Sequence, residues 1–195
     1  MSSKKSKPPI DNKAIRVRLE RARDERLVVG ARRWIRGADY LEGFVVGIGK
    51  RWVALAKLDS RVSFDGWTLL RLKDIQAVTL EPDPDCFTVK ALRARSEWPP
   101  PSADVELDDL RGAATAAAAV APTTSVFVEF DRPDICYIGS LVSVDDKGLR
   151  LLEVDTQAEW RRKPRSIDRD DVTRIDFGGR YEEALALVAG AAPDQ

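Results

Sequence analysis

The sequence predicts an α+β protein, mainly β with short helices, containing two small five-stranded barrels. Each barrel is preceded by a helix, and a further helix ends the chain. Two observations predict this fold. Short β-type segments separated by glycine and polar turns are dense in each half, with five in about 55 residues of the first half, a spacing typical of small barrels. The two groups of strands also align with each other, together with the helix ahead of each.

The first group begins with a predicted amphipathic helix over residues 12–26, with Asp11 or Asn12 as its N-cap. From Leu27 the pattern changes to β. Gly49-Lys50-Arg51 is predicted to form a tight turn between the second and third strands. The five strands are predicted at residues 27–35, 44–48, 52–58, 67–72 and 76–80.

Residues 81–106 are predicted to be a proline-rich connector. Pro82, Pro84 and the run Trp98-Pro99-Pro100-Pro101 prevent one regular element from spanning it. Periodicity does not decide whether residues 87–95 form a helix or a strand.

Residues 107–120 are rich in alanine and open with two aspartates, which favours a helix over a flexible linker. Gly178-Gly179 precedes a last predicted helix at 181–189. This glycine pair is interpreted as a strand-to-helix turn and not as a phosphate-binding loop, because no Lys-Ser/Thr follows it. The strands between are predicted at residues 125–130, 137–144, 149–154, 160–167 and 172–177.

The two groups of elements are predicted to be an internal duplication. At an offset of 96 residues, Gly43–Ile48 falls on Gly139–Val144 and Leu58 falls on Val154. One extra residue then places Asp74-Ile75 on Asp171-Val172. The alternative is that any two small β units share glycine turns and alternating apolar residues. Duplication predicts two separate sheets, each closed around its own core.

The aligned segments resemble the Sm-like fold, the SH3-type barrel of the Sm and Hfq proteins and of one domain of the ribosome maturation factor RimP. The segments that carry the resemblance are 43–48, 52–59 and 70–78, and in the second copy 139–155 and 167–175. The resemblance implies a glycine that lets the second strand bend, and assembly through strand edges. RNA-binding members carry an Arg-Gly or Lys-His element where this chain has Leu72-Lys73-Asp74 and Arg169-Asp170-Asp171.

The resulting domain organisation has five parts. They are a disordered basic tail at 1–10, a first Sm-like barrel with its helix at 11–80, the connector at 81–106, a second Sm-like barrel with two helices at 107–190, and a tail at 191–195.

The amino-acid composition excludes several kinds of catalytic and metal site. The chain has no histidine, which excludes Ser-His-Asp and Cys-His catalysis and His-ligated metals. Cys86 and Cys136 form no zinc-type spacing or disulfide framework, so we expect a reducing, cytoplasmic setting. No apolar run is long enough to span a membrane and no secretory signal is recognised. We expect no metal, no cofactor and no catalytic residue.

Charge is distributed unevenly along a chain whose formal net charge is zero. Residues 1–36 carry 12 Lys or Arg against four acidic residues, 12 − 4 = +8. A basic end on an acidic body could meet an anionic partner, or could be a solubilising tail and helix face. The Asp168-x-Asp170-Asp171 cluster is interpreted as a solvated turn paired with nearby arginines, not as a catalytic or metal site.

The candidate nucleic-acid residues lie in two basic turns. Arginine and lysine could bind phosphates while tryptophan stacks on a base. The alternative is that both tryptophans pack at the barrel edge. The candidates are Lys50, Arg51, Trp52, Trp160, Arg161, Arg162, Lys163 and Arg165. The predicted function is therefore non-enzymatic binding or scaffolding, with self or another protein as the partner through edge strands; RNA binding is the alternative.

Overall fold

The computed structural model describes residues 11–103 and 105–193, and the predicted basic tail at 1–10 lies outside them. Four α-helices and ten strands form an α+β fold with one antiparallel sheet. The helices are α1 (Asn12–Glu25), α2 (Phe87–Ala94), α3 (Leu110–Val120) and α4 (Arg180–Ala189). Residues 87–95, left open between helix and strand, are thus mainly helical.

All ten predicted strands are present. In the first half they are β1 (Val28–Arg33), β2 (Leu41–Ile48), β3 (Trp52–Leu58), β4 (Phe64–Arg71) and β5 (Ile75–Leu80). In the second half they are β6 (Thr124–Phe127), β7 (Cys136–Val144), β8 (Gly148–Glu153), β9 (Arg165–Asp168) and β10 (Arg174–Phe177). However, β9 overlaps its predicted range of 160–167 by three residues, and β6 ends three residues before its predicted end at 130. A 3-10 turn, Leu72–Asp74, joins β4 to β5.

The prediction of two closed barrels is wrong. All ten strands belong to one sheet, in the order β5-β1-β2-β3-β4-β10-β6-β7-β8-β9. The physical reason is the antiparallel pairing of β4 with β10, in which Leu69 lies opposite Ile175. The free edge of the first half is thereby used to join the second half. Within the described residues, the outer edges of β5 and β9 have no strand partner.

Each half has the same internal strand order. The first half runs β5-β1-β2-β3-β4, and the second runs β10-β6-β7-β8-β9. A β-bulge lies between Val45 and Gly47 of β2, and another lies 96 residues later between Leu141 and Ser143 of β7. Bulges bend a strand and increase its twist.

The aligned glycines also have the same environment. A Cβ added to Gly43 would lie 2.3 Å from the carbonyl oxygen of Ala56, and one added to Gly139 would lie 2.0 Å from that of Leu152. Ala56 and Leu152 are themselves 96 residues apart. Both positions therefore need glycine because the neighbouring strand approaches too closely for a side chain.

Three apolar clusters are buried in the described part of the molecule, and the two larger ones are not separated cleanly at the boundary of the halves. Val53 and Leu55 of β3 pack under α1, with Leu19 and Ile75. Trp52 and Ala54, which alternate with them along the strand, pack instead with α3 and Phe177. The expected pair of separate cores is corrected here, because β3 is buried on both of its faces.

Two of the four helices, α1 and α3, begin at a capping aspartate. Asp11 caps α1 by accepting a hydrogen bond from the Ala14 amide at 3.0 Å, as predicted. Asp109 caps α3 by accepting one from the Gly112 amide at 2.9 Å. None of the helices in residues 11–103 and 105–193 has the length and apolarity needed to cross a membrane.

Candidate functional site at the junction of the two halves

The junction contains a buried ionic network. On β10, Arg174 donates through Nε to Asp176 at 2.7 Å, and Thr68 of β4 donates to the same carboxylate at 2.6 Å. Lys57 lies 3.5 Å from it. Burial alone raises the pKa of Asp176, but the positive charge and hydrogen bonds of Arg174 outweigh burial and hold the pKa below its ordinary value. The carboxylate is thus an ionised strand-pairing contact.

A second buried ion pair joins distant segments. Arg33, at the end of β1, donates in bidentate fashion to Glu129, which follows β6; one of the two bonds is 2.6 Å. The side chains are 0% and 2% exposed. Thr173 donates to the same carboxylate at 2.6 Å. Since an unpaired buried charge is costly, this geometry favours one relative arrangement of the halves.

The third contact of the junction lies at the β3–β4 turn. Asp59 accepts hydrogen bonds from the Ser63 amide at 3.1 Å and from Arg180, the first residue of α4, at 2.6 Å. Burial acts to raise the pKa of Asp59, but the hydrogen bonds from Ser63, Arg180 and Arg61 prevail and lower it to about 2.

The junction also creates a basic pocket of about 300 Å³. It lies where the β2–β3 turn, the β4–β5 turn, the β9–β10 turn and the first turns of α1 and α3 meet. Six cationic side chains line it, against one aspartate, Asp170. They are Arg16, Lys50, Arg51, Arg71, Lys73 and Arg169.

Three of these cations are held by neighbours. Arg16 donates to the Gly49 carbonyl at 2.7 Å. The Lys50 ammonium lies 2.5 Å from Asp108, and this hydrogen bond raises the pKa of Lys50 and lowers that of Asp108. Arg71 donates to Asp74 at 2.6 Å and to the Asp170 carbonyl at 2.7 Å.

The segment that leads into α3 is an ordered part of this site. The Leu107 carbonyl accepts from the amides of Arg51 and Trp52, at 3.3 and 3.0 Å. The Lys50 amide donates to Asp108 at 2.9 Å. The β2–β3 turn is therefore fixed from both sides, by α1 and by the segment leading into α3.

The structure divides the predicted nucleic-acid residues between two places. Lys50 and Arg51 line the pocket, whereas none of the candidates at 160–165 does. Trp52 also lines it, but this residue is 2% exposed and packs in the core, so its ring is not available to stack on a base.

The second basic turn is only partly paired. Trp160 is partly buried and donates to the Ala189 carbonyl of α4 at 3.2 Å, so its packing role is observed. Arg165 lies 2.6 Å from Glu153, and Arg161 lies 3.7 Å from Asp155. Arg162 and Lys163 are exposed, with no carboxylate within 4 Å among the described residues.

The sequence did not identify four of the six cationic pocket residues: Arg16, Arg71, Lys73 and Arg169. A signal was available in the alignment, because Lys73 and Arg169 lie in the corresponding turns, between the fourth and fifth strands of each half. The alignment does not reveal the β4–β10 pairing, and it is this pairing that brings the two turns to one pocket.

The carboxylates do not form a cation site. In residues 11–103 and 105–193, no group of three or more Asp, Glu or Cys side chains is arranged to hold a metal ion. Asp170 of the predicted turn cluster lies 3.9 Å from Arg169, and its amide donates to Asp168 at 2.9 Å.

Comparison of the whole chain with known protein families, with curated proteins and with solved structures finds no match.

We expect the Arg33–Glu129 pair to behave as a buried ion pair in a double-mutant cycle. Glu129→Leu leaves the Arg33 guanidinium buried without its counter-charge, which lowers the free energy of unfolding by about 3–5 kcal/mol. The double variant Arg33→Met/Glu129→Leu recovers most of that loss. Urea unfolding measures both. A double variant as unstable as the sum of the single variants would contradict a direct coupling.

The Asp59 contact predicts a pH-dependent contribution to stability. Its folded pKa of about 2 lies below the unfolded value of about 3.9. Its contribution is therefore complete above pH 4 and is lost as pH falls towards 2. Asp59→Asn should be less stable than the parent protein in urea at pH 6, and the difference should shrink between pH 4 and pH 2.5. Asp131→Asn, exposed and paired only with Arg132 at 3.6 Å, is the control. An equal difference at all pH values would contradict this role.

Proposed function

We propose that this chain is a non-catalytic binding or scaffold protein, a tandem duplication of a Sm-like unit that assembles head to tail through its sheet edges. The observation that carries the proposal is the β4–β10 junction. There, the fourth strand of one half pairs with the fifth strand of the other. The same strand order and bulge position in both halves support the duplication.

The internal junction provides a template for contact between copies. The two outer strands of the sheet are β9, which aligns with β4, and β5, which aligns with β10. In the junction Thr68 lies opposite Asp176, and Leu69 lies opposite Ile175. The 97-residue offset replaces each β4 residue by its counterpart in β9 and each β10 residue by its counterpart in β5. The same register then places Arg165 of one copy opposite Thr79 of the next, and Ser166 opposite Val78. Unpaired sheet edges are ready-made sites for such pairing.

Charge complements the backbone match. Continuing the same register places Lys163 opposite Glu81 and Arg161 opposite Asp83. Glu81 and Asp83 are exposed, and the sequence they begin is acidic. On a larger scale, residues 11–80 carry 15 − 9 = +6 and residues 107–190 carry 11 − 16 = −5. Opposite charges on the two ends favour a head-to-tail arrangement over head-to-head.

One contact shields the β5 edge in the isolated chain. Arg18 of α1 donates to the Val78 carbonyl at 3.0 Å. Pairing with β9 of another copy competes with this bond. The arginine therefore limits indiscriminate pairing, a role that charged groups commonly have at edge strands.

A charge-swap series tests the assembly. Glu81→Lys and Lys163→Glu each place like charges opposite each other in the next-copy contact, so each variant should associate at least several-fold more weakly than the parent. The double variant restores attraction. Light scattering over a concentration series from about 5 to 500 μM measures association, and Arg132→Glu is an exposed control outside the contact. A parent protein that stays monomeric over the whole range overturns the proposal.

The second candidate function is nucleic-acid binding, favoured by the exposed Arg162 and Lys163, neither of which forms an ion pair with any residue that the structure describes. Phosphate binding by these side chains predicts weaker binding at higher salt, because counterions are released. Fluorescence anisotropy with a short single-stranded RNA at about 50 and 200 mM salt tests it. Binding that falls with salt and falls again in Arg162→Gln/Lys163→Gln supports this function. No binding at the lower salt removes it.

A further inference from the structure

Three exposed cations from three separate turns line the basic pocket at the junction. Arg51 comes from the β2–β3 turn, Lys73 from the β4–β5 turn and Arg169 from the β9–β10 turn. Neither Arg51 nor Lys73 has a carboxylate within 4 Å among the described residues, and Arg169 has only Asp170, at 3.9 Å. All three are exposed. Three separate turns thus present positive charge to one concave space.

Two other cations of the pocket hold the surrounding turns in place through hydrogen bonds to neighbouring groups. Arg71 is buried and bonded to Asp74 and to the Asp170 backbone, and Arg16 is bonded to the β2–β3 turn. These bonds tie the turns of both halves together. The three exposed cations therefore lie on a framework that exists before any ligand arrives, which lowers the ordering cost of binding.

Part of the pocket lining is apolar. Ile15 of α1, Leu72 of the β4–β5 turn and Leu110 of α3 line the pocket beside the cations. A volume of about 300 Å³ is at the small end of ligand pockets, and apolar walls with a few convergent polar groups are characteristic of them. A bare inorganic anion would leave the apolar part of this space unfilled.

We infer that this pocket binds a phosphorylated small ligand of nucleotide size. Its phosphate contacts Arg51, Lys73 and Arg169, and its flat organic part lies on Ile15, Leu72 and Leu110. A phosphate group accepts several charge-assisted hydrogen bonds, and arginine can supply two in parallel. The site requires both halves of the chain, since Arg169 belongs to the second half and the other two cations to the first.

Calorimetric titration of the full chain tests the inference with three probes: adenosine monophosphate, adenosine and inorganic phosphate. We expect the monophosphate to bind at least tenfold more tightly than either of the other two. Arg51→Gln and Lys73→Gln should each weaken its binding about tenfold or more, because each removes a hydrogen bond between charged groups. Both side chains are exposed, so the urea midpoint should stay close to that of the parent protein.

The matched controls are Arg36→Gln and Lys90→Gln, each of which removes one exposed cation outside the pocket and outside the proposed contact between copies. Both should leave monophosphate binding unchanged. Adenosine binding as tightly as its monophosphate overturns the inference, as does the absence of monophosphate binding at millimolar concentration. A short RNA that binds where the monophosphate does not also overturns it, and supports the nucleic-acid candidate. The titration is repeated at low micromolar and at high protein concentration. Because the pocket is complete within one chain, the affinity for the monophosphate should be the same at both concentrations, whether or not the chain assembles.

Discussion

The pairing of β4 with β10 is the contact on which the rest of the structure depends. It converts two five-stranded groups into one ten-stranded sheet and places Thr68 against Asp176 across the junction. It also brings the β4–β5 turn next to the β9–β10 turn, as the bond from Arg71 to the Asp170 carbonyl demonstrates. Without this pairing the basic pocket would lose Arg169 and one wall.

Burial of β3 on both faces explains why the halves do not form separate cores. A strand exposes alternate residues on opposite faces, so one strand can serve two cores. Val53 faces the cluster under α1, and Ala54 faces the cluster under α3. The buried Arg33–Glu129 pair joins the two halves across this packing, and any arrangement that separated the two side chains would leave a charge buried without a partner.

The two halves differ most on the outer face. In the first half Phe44 packs with Val28, with Val89 and Leu92 of α2, and edge-on with Trp98 at 5.4 Å between ring centroids. The aligned position of Phe44 in the second half is Ser140. There Ser125 donates to Glu182 of α4 at 2.6 Å instead. Similar strand order and bulges are thus combined with an apolar outer face in one half and a polar one in the other.

The sequence by itself determined the elements and their matching positions. Alternating apolar residues, glycine and proline punctuation and the capping aspartates indicated all ten strands and the helices α1, α3 and α4. These are local signals that need no knowledge of distant contacts. The 96-residue alignment of Gly43 with Gly139 also came from sequence alone, and both glycines lie against a neighbouring carbonyl in the structure. The uninterrupted run Trp52–Ala56 was a signal for burial on two faces, but it was interpreted simply as a strand.

Only the tertiary structure decided how the halves meet. The ladder between β4 and β10 is made by backbone groups that every strand has, and the side-chain bond from Thr68 to Asp176 joins residues 108 positions apart that no local pattern connects. The pocket follows from that choice, since its cations come from positions as distant as Arg16 and Arg169. The fold also buries Trp52, so its ring is not accessible for stacking on a nucleic-acid base, which the sequence alone could not reveal. Residue types and spacing are properties of the chain, whereas convergence of charge at one place is a property of the fold.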